Sequence, residues 1–448
     1  MSTVDELKQR ACRAIDARRD EIIALGEKIR AHPELGFKEF QTAALVAESF
    51  EHLGIIPQTG LAITGVKGKL HGKSARACVA YVGELDSILV RNHPEADPIT
   101  GAAHACGHNA QIANLIGVAY GLVEGQVMSG LDGDVVLLAA PAEEYVELEY
   151  RLALKAKGQI EFLSGKQELL RLGTFDDVQI MLATHQASRK EPGLITNGGP
   201  SNGCLVKQIR FLGRAAHAGG APHEGINALK AAQLALTAID ANRETFKDND
   251  HIRVHPIITK GGELVNVVPA DVRLETYVRG ASTEAMVAAN LVVDRCLEAG
   301  ALALGAEVQI TTLAGYLPRI IDRTLGELYR SNAVALLGEA AWFDSEFGSG
   351  STDIGDVSHV MPAIEAACVG CTGTGHGADF RISDYDLAYI VPAKVAVMTI
   401  IALLANEAEH ARSLLAAYQP AMTLAQYLDF VRSLNKQTTC SFQETGTR

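Results

Sequence analysis

Apolar residues near the start of the chain recur every three or four positions, which is the spacing of one helix face. They extend from Val4 to Ile29 and predict one long amphipathic helix over this range. The stretch 32-HPELGF-37 breaks the pattern, and a second helix is predicted through residues 41–54.

Beyond residue 54 the pattern changes to short apolar runs that are partly β-branched and separated by helical stretches. Such runs are typical of buried strands in a largely parallel sheet that is covered on both faces. The sequence therefore predicts an α/β domain with a mostly parallel sheet. The predicted strands are 77-ACVAYV-82, 135-VVLLAA-140, 178-VQIMLAT-184 and 363-AIEAACV-369.

Residues 196–314 follow a different order of strand, helix, two strands, helix and strand. This is the split βαβ arrangement of ferredoxin-like domains. Because the stretch interrupts the strands of the larger sheet, we predict an inserted domain at 196–314 within a domain made of 1–195 and 315–420. A C-terminal helix and a loose tail are expected over 421–448. The strands of the insert are predicted at 204–213, 252–260, 271–280 and 307–313, and its helices at 225–243 and 283–304.

Length, charge and cysteine content narrow the classes of protein to consider. A chain of 448 residues is long enough for two or three domains. The net charge of -13 and pI near 5.6 argue against nucleic-acid and membrane partners. The charged N-terminus lacks a signal pattern, no apolar run approaches the length of a membrane span, and eight cysteines are too few for a disulfide framework. We therefore expect a cytoplasmic protein.

Side chains that can bind metal ions follow each of the four predicted strands. In open α/β sheets, ligands collect beyond the carboxyl ends of strands, so these side chains are expected to share one crevice. The stretch 101-GAAHACGHNAQ-111 follows the first strand and adds a cysteine and a histidine with little bulk around them. The strand-end residues are Glu84 and Asp86, then Glu143 and Glu144, then His185, and finally His376.

Sulfur, nitrogen and oxygen donors together suit zinc, manganese or a similar divalent ion. Five candidates exceed the four ligands of a closed structural site, which indicates either two metal ions or one ion with spare ligands. In an adjacent acid pair, one carboxylate can bind the ion while its neighbour takes a proton from the attacking water. The five candidate ligands are Cys106, His108, Glu144, His185 and His376.

A set of motifs, taken in order, resembles the aminoacylase/carboxypeptidase metallohydrolases. The resemblance is greater to the amidohydrolase branch that contains hippurate hydrolase, auxin-conjugate hydrolases and p-aminobenzoyl-glutamate hydrolase, and it spans about residues 20–405. The motifs are HPELGF, GELDS, HACGHN, PAEE, AHAGGAPHEGINAL, NVVPADVRLETYVR and GTGHGADF.

This resemblance implies hydrolysis of an amide or similar C–N bond in a small, carboxylate-bearing substrate. It also implies a ferredoxin-like lid that forms a homodimer. The candidates Cys106, His108, Glu144, His185 and His376 become metal ligands, and Glu143 becomes the general base. On the lid, His217 and Asn266 would stabilise the oxyanion, in some relatives within the neighbouring subunit's site. Arg279 would hold the substrate carboxylate, for which a guanidinium fork is well suited.

Two features depart from the family pattern. Asn109 and Gln111 stand where many relatives carry an aspartate and a histidine, and the lost negative charge favours one divalent ion over two. Residues 145–170 replace a short Gly-rich turn with a longer aromatic segment, which is expected to lie beside the pocket and to alter the substrate.

Two alternatives to amide hydrolysis stay open. One is an aromatic aminohydrolase that releases ammonia from a ring such as 5-nitroanthranilate with the same machinery. The other is a catalytically silent metal-binding subunit of a heteromer. Retention of both Glu143 and Glu144 argues against the silent subunit, because a scaffold needs no base.

Overall fold

The computed structural model describes residues 3–188 and 193–442. The chain forms two compact units. Unit 1 consists of residues 1–200, 320–347 and 356–424, and unit 2 consists of residues 201–319, 348–355 and 425–448.

Apart from the N-terminal helix, the predicted helices with stated bounds begin and end within a few residues of the predicted positions. In chain order they are α1 (Val4–Ala17), α2 (Arg19–Arg30), α3 (Phe40–His52), α4 (His108–Val123), α5 (Leu148–Ala156), α6 (Gly165–Arg171), α7 (Ala228–Ala241), α8 (Thr283–Leu304), α9 (Arg323–Leu337), α10 (Ile354–Ser358), α11 (Val391–Leu404), α12 (Glu409–Ala417) and α13 (Leu424–Leu434).

The strands include the predicted ones and several short strands that the sequence pattern does not reveal. In chain order they are β1 (Gln58–Leu61), β2 (Gly65–Leu70), β3 (Cys78–Glu84), β4 (Ile88–Leu89), β5 (Ala102–Ala103), β6 (Asp134–Ala140), β7 (Ile180–Ser188), β8 (Ile195–Thr196), β9 (Gly203–Leu212), β10 (Arg253–Val254), β11 (Ile257–Lys260), β12 (Asp271–Gly280), β13 (Glu307–Ala314), β14 (Ala363–Thr372), β15 (Arg381–Ile382) and β16 (Lys436–Ser441).

The predicted single N-terminal helix is two helices. A capping box between Thr3 and Glu6 starts α1. At Arg18 (φ -107°, ψ 12°) the backbone leaves the helical region, and its N–H bonds to the carbonyl of Ile15 in a tight last turn. The apolar stripe continues across the break, which is why the sequence pattern does not show it.

The main sheet of unit 1 has the order β1-β2-β6-β3-β7-β14-β15, with β8 also paired to β14. The four predicted strands are its four central neighbours, and all of them run parallel. The flanking pairings are antiparallel, so the sheet is mixed, with a parallel centre. The carboxyl ends of the central strands therefore meet at one edge.

Two apolar helices, α4 and α11, form much of the core of unit 1. Nearly every residue of each helix is buried. The continuous helical stretch Asp386–Leu404 is long and apolar enough to cross a membrane, but 89% of its most apolar window is buried inside the protein. Core packing accounts for its composition.

The sheet of unit 2 has the order β10-β12-β9-β13-β16, with β11 also paired to β12, and all pairings are antiparallel. Without β16, this is the ferredoxin-like strand order, and α7 and α8 pack against the sheet. The prediction of a loose tail after the last helix is wrong for residues 436–441. They form β16 on the open edge of β13, with Ser441 opposite Glu307, while residues 443–448 lie outside the described chain.

Candidate active site

Each central strand of unit 1 delivers a functional side chain to the same edge of the sheet. Glu84 is the last residue of β3, and Glu143 and Glu144 follow β6 after a two-residue turn. His185 lies within β7 rather than after it, opposite Ala367 of the parallel neighbour β14. His376 lies in the turn that follows β14.

The loop before α4 brings Cys106 and His108 close to β7. Gly107, between them, has a φ of 91°, and a Cβ added there would lie only 2.9 Å from the Cβ of Gln186. Both the left-handed backbone and the close approach favour glycine. His376 also has a left-handed backbone (φ 62°), and its N–H donates to the Ala105 carbonyl over 2.8 Å, which ties the two loops together.

All five predicted ligands converge. The Cys106 Sγ lies 3.3 Å from His185 Nε2 and 3.4 Å from His376 Nε2, and His376 Nε2 lies 3.1 Å from Glu144 Oε1. Among the described residues, three groups of side chains each have their ligand atoms within 4.8 Å of one another, and two of these groups share the cysteine. The first is Cys106, His108 and His185, and the second is Cys106, Glu144 and His376.

The two adjacent glutamates lie in different groups of candidate metal-binding side chains. Glu144 belongs with Cys106 and His376, whereas a carboxylate oxygen of Glu143 lies within 4.8 Å of ligand atoms of Glu84 and His108. Both glutamates are buried. The arrangement allows one carboxylate to bind an ion while the other handles a proton.

Two buried atoms in the cluster suit a bound cation. The His108 Nδ1–H donates to the backbone carbonyl of Asp86 over 2.9 Å, which leaves Nε2 as the nitrogen with a free lone pair. Among the described residues, His108 Nε2 and Glu144 Oε1 are buried without a hydrogen bond of good geometry, although Glu84 Oε2 lies 3.1 Å from the nitrogen and His376 Nε2 lies 3.1 Å from the oxygen. Buried acceptors are normally satisfied, and this donor set fits zinc or manganese.

The charges in the cluster are strongly coupled. Burial, and next the charge of Glu144, raise the pKa of the Cys106 thiol well above its ordinary value. Burial opposes a low pKa at Glu84, but Lys166 and His108 outweigh it and bring the pKa to about 2. Burial also acts to raise the pKa of Glu144, but the hydrogen bond and the charge of His376 outweigh burial, and the pKa is lowered. A divalent cation would favour the thiolate of Cys106, because positive charge stabilises it.

Three residues without an assigned role in the sequence analysis support the cluster. Asp86 accepts the Glu144 N–H over 2.9 Å and also contacts His108; its place in 83-GELDS-87 was the available signal. Lys166, fully buried, donates to Glu84, and nothing in its local sequence points to this role. Gln111 donates to the same carboxylate over 2.6 Å.

A cavity of about 510 Å³ opens beside Cys106, His185 and His376. Among the described lining residues there is no Asp, Glu, Lys or Arg, and none belongs to residues 145–170. The expectation that this segment lies beside the pocket is therefore not met. The other lining residues are Gln186, Ala187, Ser188, Thr196, Phe343, Ser345, Ala367, Gly373, Thr374, Gly375 and Phe380.

The predicted lid residues all lie in unit 2, at two places. His217 is exposed and accepts the Gly220 N–H over 2.9 Å, and the Asn266 carbonyl accepts the Ala218 N–H over 2.9 Å. Both residues lie near the Asp271 end of β12. Arg279 lies near the other end and donates to Ser351 over 2.9 Å. At about 3.3 Å per residue, the two ends are about 26 Å apart.

Comparisons with known proteins agree with this fold. The profile of the peptidase dimerisation domain matches residues 203–301. The chain is 31% identical over 371 residues to an Xaa-Arg dipeptidase of Mus musculus, covering 80% of this chain and 78% of the relative. It is 26% identical over 290 residues to an N-acyl-L-amino acid amidohydrolase of Geobacillus stearothermophilus, covering 62% of this chain and 70% of the relative.

A solved structure shares the fold. It is a dinuclear metal-binding peptidase of the M20 family from Bacillus subtilis, with a TM-score of 0.65 and 22% sequence identity. The similarity covers 87% of this chain and 99% of that one.

Proposed function

Because this chain belongs to the M20 family of metallohydrolases, we propose that it cleaves a C–N bond in a small carboxylated amino-acid derivative with an aromatic acyl group. Hydrolysis of amide or peptide bonds in acyl or amino-acid substrates is what its relatives support. The observation that carries the proposal is the convergence of Cys106, His108, Glu144, His185 and His376 beside a cavity, with Glu143 adjacent.

The residues divide the chemistry among them. The five ligands would hold a divalent ion, zinc or manganese, which polarises a carbonyl oxygen and makes water more acidic when it is bound. Glu143 accepts a proton from the attacking water and returns it to the departing nitrogen. Asp86 orients both His108 and the backbone of Glu144 through hydrogen bonds, which fixes the imidazole tautomer.

One bound ion, rather than two, is proposed. The Bacillus subtilis peptidase is dinuclear, but here the buried Lys166 ammonium already pairs with Glu84 beside His108. Asn109 turns away from the cluster and donates to the Tyr389 hydroxyl over 2.9 Å. The site therefore contains a cation of its own and lacks a carboxylate at position 109.

The cavity supports an uncharged acyl group. Phe343 and Phe380 supply aromatic surface, while the hydroxyls of Ser188 and Thr196 already have partners at the Gly373 carbonyl (2.6 Å) and Ser345 (3.0 Å). No carboxylate other than the metal-binding cluster faces this space among the described residues, so a cationic group has no partner there. A benzoyl or similar aroyl group fits this lining.

The lid residues are proposed to act in a homodimer, for which the dimerisation-domain match gives support. His217 and Asn266 would stabilise the oxyanion, and Arg279 would bind the substrate carboxylate. Because the two ends of β12 are about 26 Å apart, one copy of unit 2 cannot offer all three residues to one small substrate. Two copies would have to contribute. The cytoplasmic location stays a prediction from composition.

A substrate screen tests the proposal. Purified protein is incubated with N-benzoyl and N-acetyl amino acids, p-aminobenzoyl-glutamate, Xaa-Arg dipeptides and 5-nitroanthranilate, and free amine and ammonia are both measured. We expect a carboxylic acid and a free amine, with N-benzoyl substrates preferred. Release of ammonia from 5-nitroanthranilate, with no carboxylic acid released from the amide substrates, would identify the aromatic aminohydrolase instead. Turnover of none of them by metal-loaded protein would contradict the proposal.

The variant Glu143→Gln tests the role of the base. It removes the base but keeps the shape of the side chain, so we expect metal content to be unchanged and kcat to fall by about 10²–10⁴-fold. Undiminished turnover would show that another group is the base.

A further inference from the structure

The segment 145–170 lies behind the acid pair and carries a buried cation. Arg151, in α5, is 1% exposed. Its guanidinium lies 5.3 Å from the Phe37 ring centroid and 5.5 Å from that of Tyr145. Among the described residues, no carboxylate lies within ion-pair distance of it. A buried charge without a counter-ion is costly unless hydrogen bonds compensate for its lost hydration.

The guanidinium binds backbone carbonyls around the two glutamates. Its Nη1 donates to the carbonyls of Leu163 (2.6 Å) and Ala142 (3.2 Å), and its Nη2 donates to the carbonyl of Glu144. Arg151 thus holds the residue before Glu143 and the residue after it. A planar fork with several N–H groups can bridge such acceptors, whereas an ammonium cannot reproduce that geometry.

A carboxylate holds the same turn from the other side. Ala142 has a φ of 52°, a left-handed conformation that is strained for a non-glycine residue. Its N–H donates to Glu39 Oε1 over 2.7 Å. Gly36 packs so closely that an added Cβ would lie 2.9 Å from the Ala142 Cα and 2.5 Å from Arg151 Nη2. Glu39, Ala142 and Arg151 form what we term the Ala142 clamp.

We propose that Arg151 is a positioning residue of the active site, which acts through the Ala142 clamp to hold Glu144 against the metal ion and Glu143 towards the substrate. Segment 145–170 therefore has a role in fixing the backbone on either side of Glu143. Arg151 touches neither substrate nor ion. The inference rests on the proposed function, because it presumes that Glu144 is a metal ligand.

The test compares Arg151→Met and Arg151→Lys with a control, Lys157→Met. Lys157 is exposed and belongs to the same segment, so its variant makes the same change in charge without touching the clamp. The apparent Kd of Mn²⁺ and of Zn²⁺ is measured by titrating metal-free protein, and each value is corrected for the folded fraction. This measurement requires no substrate.

We expect Arg151→Met to weaken metal binding by 10–100-fold, as for other groups that orient metal ligands, and Arg151→Lys to weaken it less. With an identified substrate, kcat should fall while KM stays within threefold. The control should match the wild type. If Arg151→Met does not fold, Arg151→Lys decides: a Kd raised at least threefold supports the proposal, and a smaller change overturns it.

The two proposals fail differently. Wild-type protein that binds neither Mn²⁺ nor Zn²⁺ would defeat the proposed function as well as the clamp. Wild-type binding matched by a folded Arg151→Met, with kcat unchanged, would defeat the positioning role alone.

Discussion

Glu39 offers a direct test of the electrostatics behind the acid pair. Its carboxyl is completely buried and is bonded to the Thr64 hydroxyl (2.6 Å) and to the Ala142 N–H (2.7 Å). Burial, and next the charge of Asp86, raise its pKa from 4.5 to about 7. The folded protein therefore holds this proton more tightly than the unfolded chain does.

The raised pKa sets the sign and size of the effect. Below about pH 4.5 the carboxyl is protonated in both states, and its contribution to stability is fully present. Between pH 4.5 and 7 the unfolded chain ionises first, so stability falls as pH rises. The difference between a pKa of about 7 and one of 4.5, at about 1.36 kcal/mol per pH unit, corresponds to a loss of about 3 kcal/mol.

Glu39→Gln removes the pH-dependent contribution of this carboxyl to the free energy of unfolding, because glutamine keeps an acceptor for the Ala142 N–H but does not titrate. We expect the stability of the variant relative to wild type to rise by about 3 kcal/mol from pH 4.5 to 7.5. Urea unfolding at several pH values measures it, and the single tryptophan, Trp342, lies in unit 1 and reports on that unit.

The control is Glu48→Gln, an exposed position on the helix that begins after Glu39. Its stability relative to wild type should not change over the same pH range. A difference between Glu39→Gln and wild type that stays constant within about 1 kcal/mol, against an expected change of about 3 kcal/mol, would refute the reasoning.

Three other predictions address the ion, the substrate and the lid. Lys166→Met leaves Glu84 without its cation, and elemental analysis should show the metal-to-protein ratio rising above that of wild type; an unchanged ratio would contradict the proposed role of the ammonium. Arg279→Lys loses the guanidinium fork, so KM for carboxylated substrates should rise about tenfold or more with kcat less affected; an equal KM would exclude carboxylate binding there. Truncation after Asn435 removes β16 and bares the edge of β13, so light scattering should detect concentration-dependent association. If the truncated protein does not associate as its concentration rises, the edge of β13 does not need β16 to prevent association.

The convergence of the candidate ligands could be predicted from sequence because strand ends are a local signal. Each of the four apolar runs is followed within seven residues by an acid or a histidine, and parallel strands bring such ends together whatever their order. The role of Lys166 could not be found in the same way. Its side chain meets Glu84 only because α6 packs against β6, the neighbour of β3 in the sheet, and no local pattern encodes that contact.

Arg151 and β16 illustrate the same limit. A basic residue in a short amphipathic helix is usually solvated, and only the surrounding carbonyls and rings make it a buried cation. Lys436–Ser441 is polar and mostly exposed, as a loose tail would be, yet it pairs with a strand far earlier in the chain. The break at Arg18 was missed because the apolar stripe crosses it.

The order of the ligands along the chain has a consequence for biosynthesis. Cys106, His108, Glu144 and His185 emerge from the ribosome before unit 2, whereas His376 follows almost all of it. A nascent chain can assemble the group of Cys106, His108 and His185 early, but the group that includes Glu144 and His376 must await the synthesis of residue 376. We therefore expect full metal affinity to arise only after residue 376 has been made, so that products terminated before it never acquire a finished metal site.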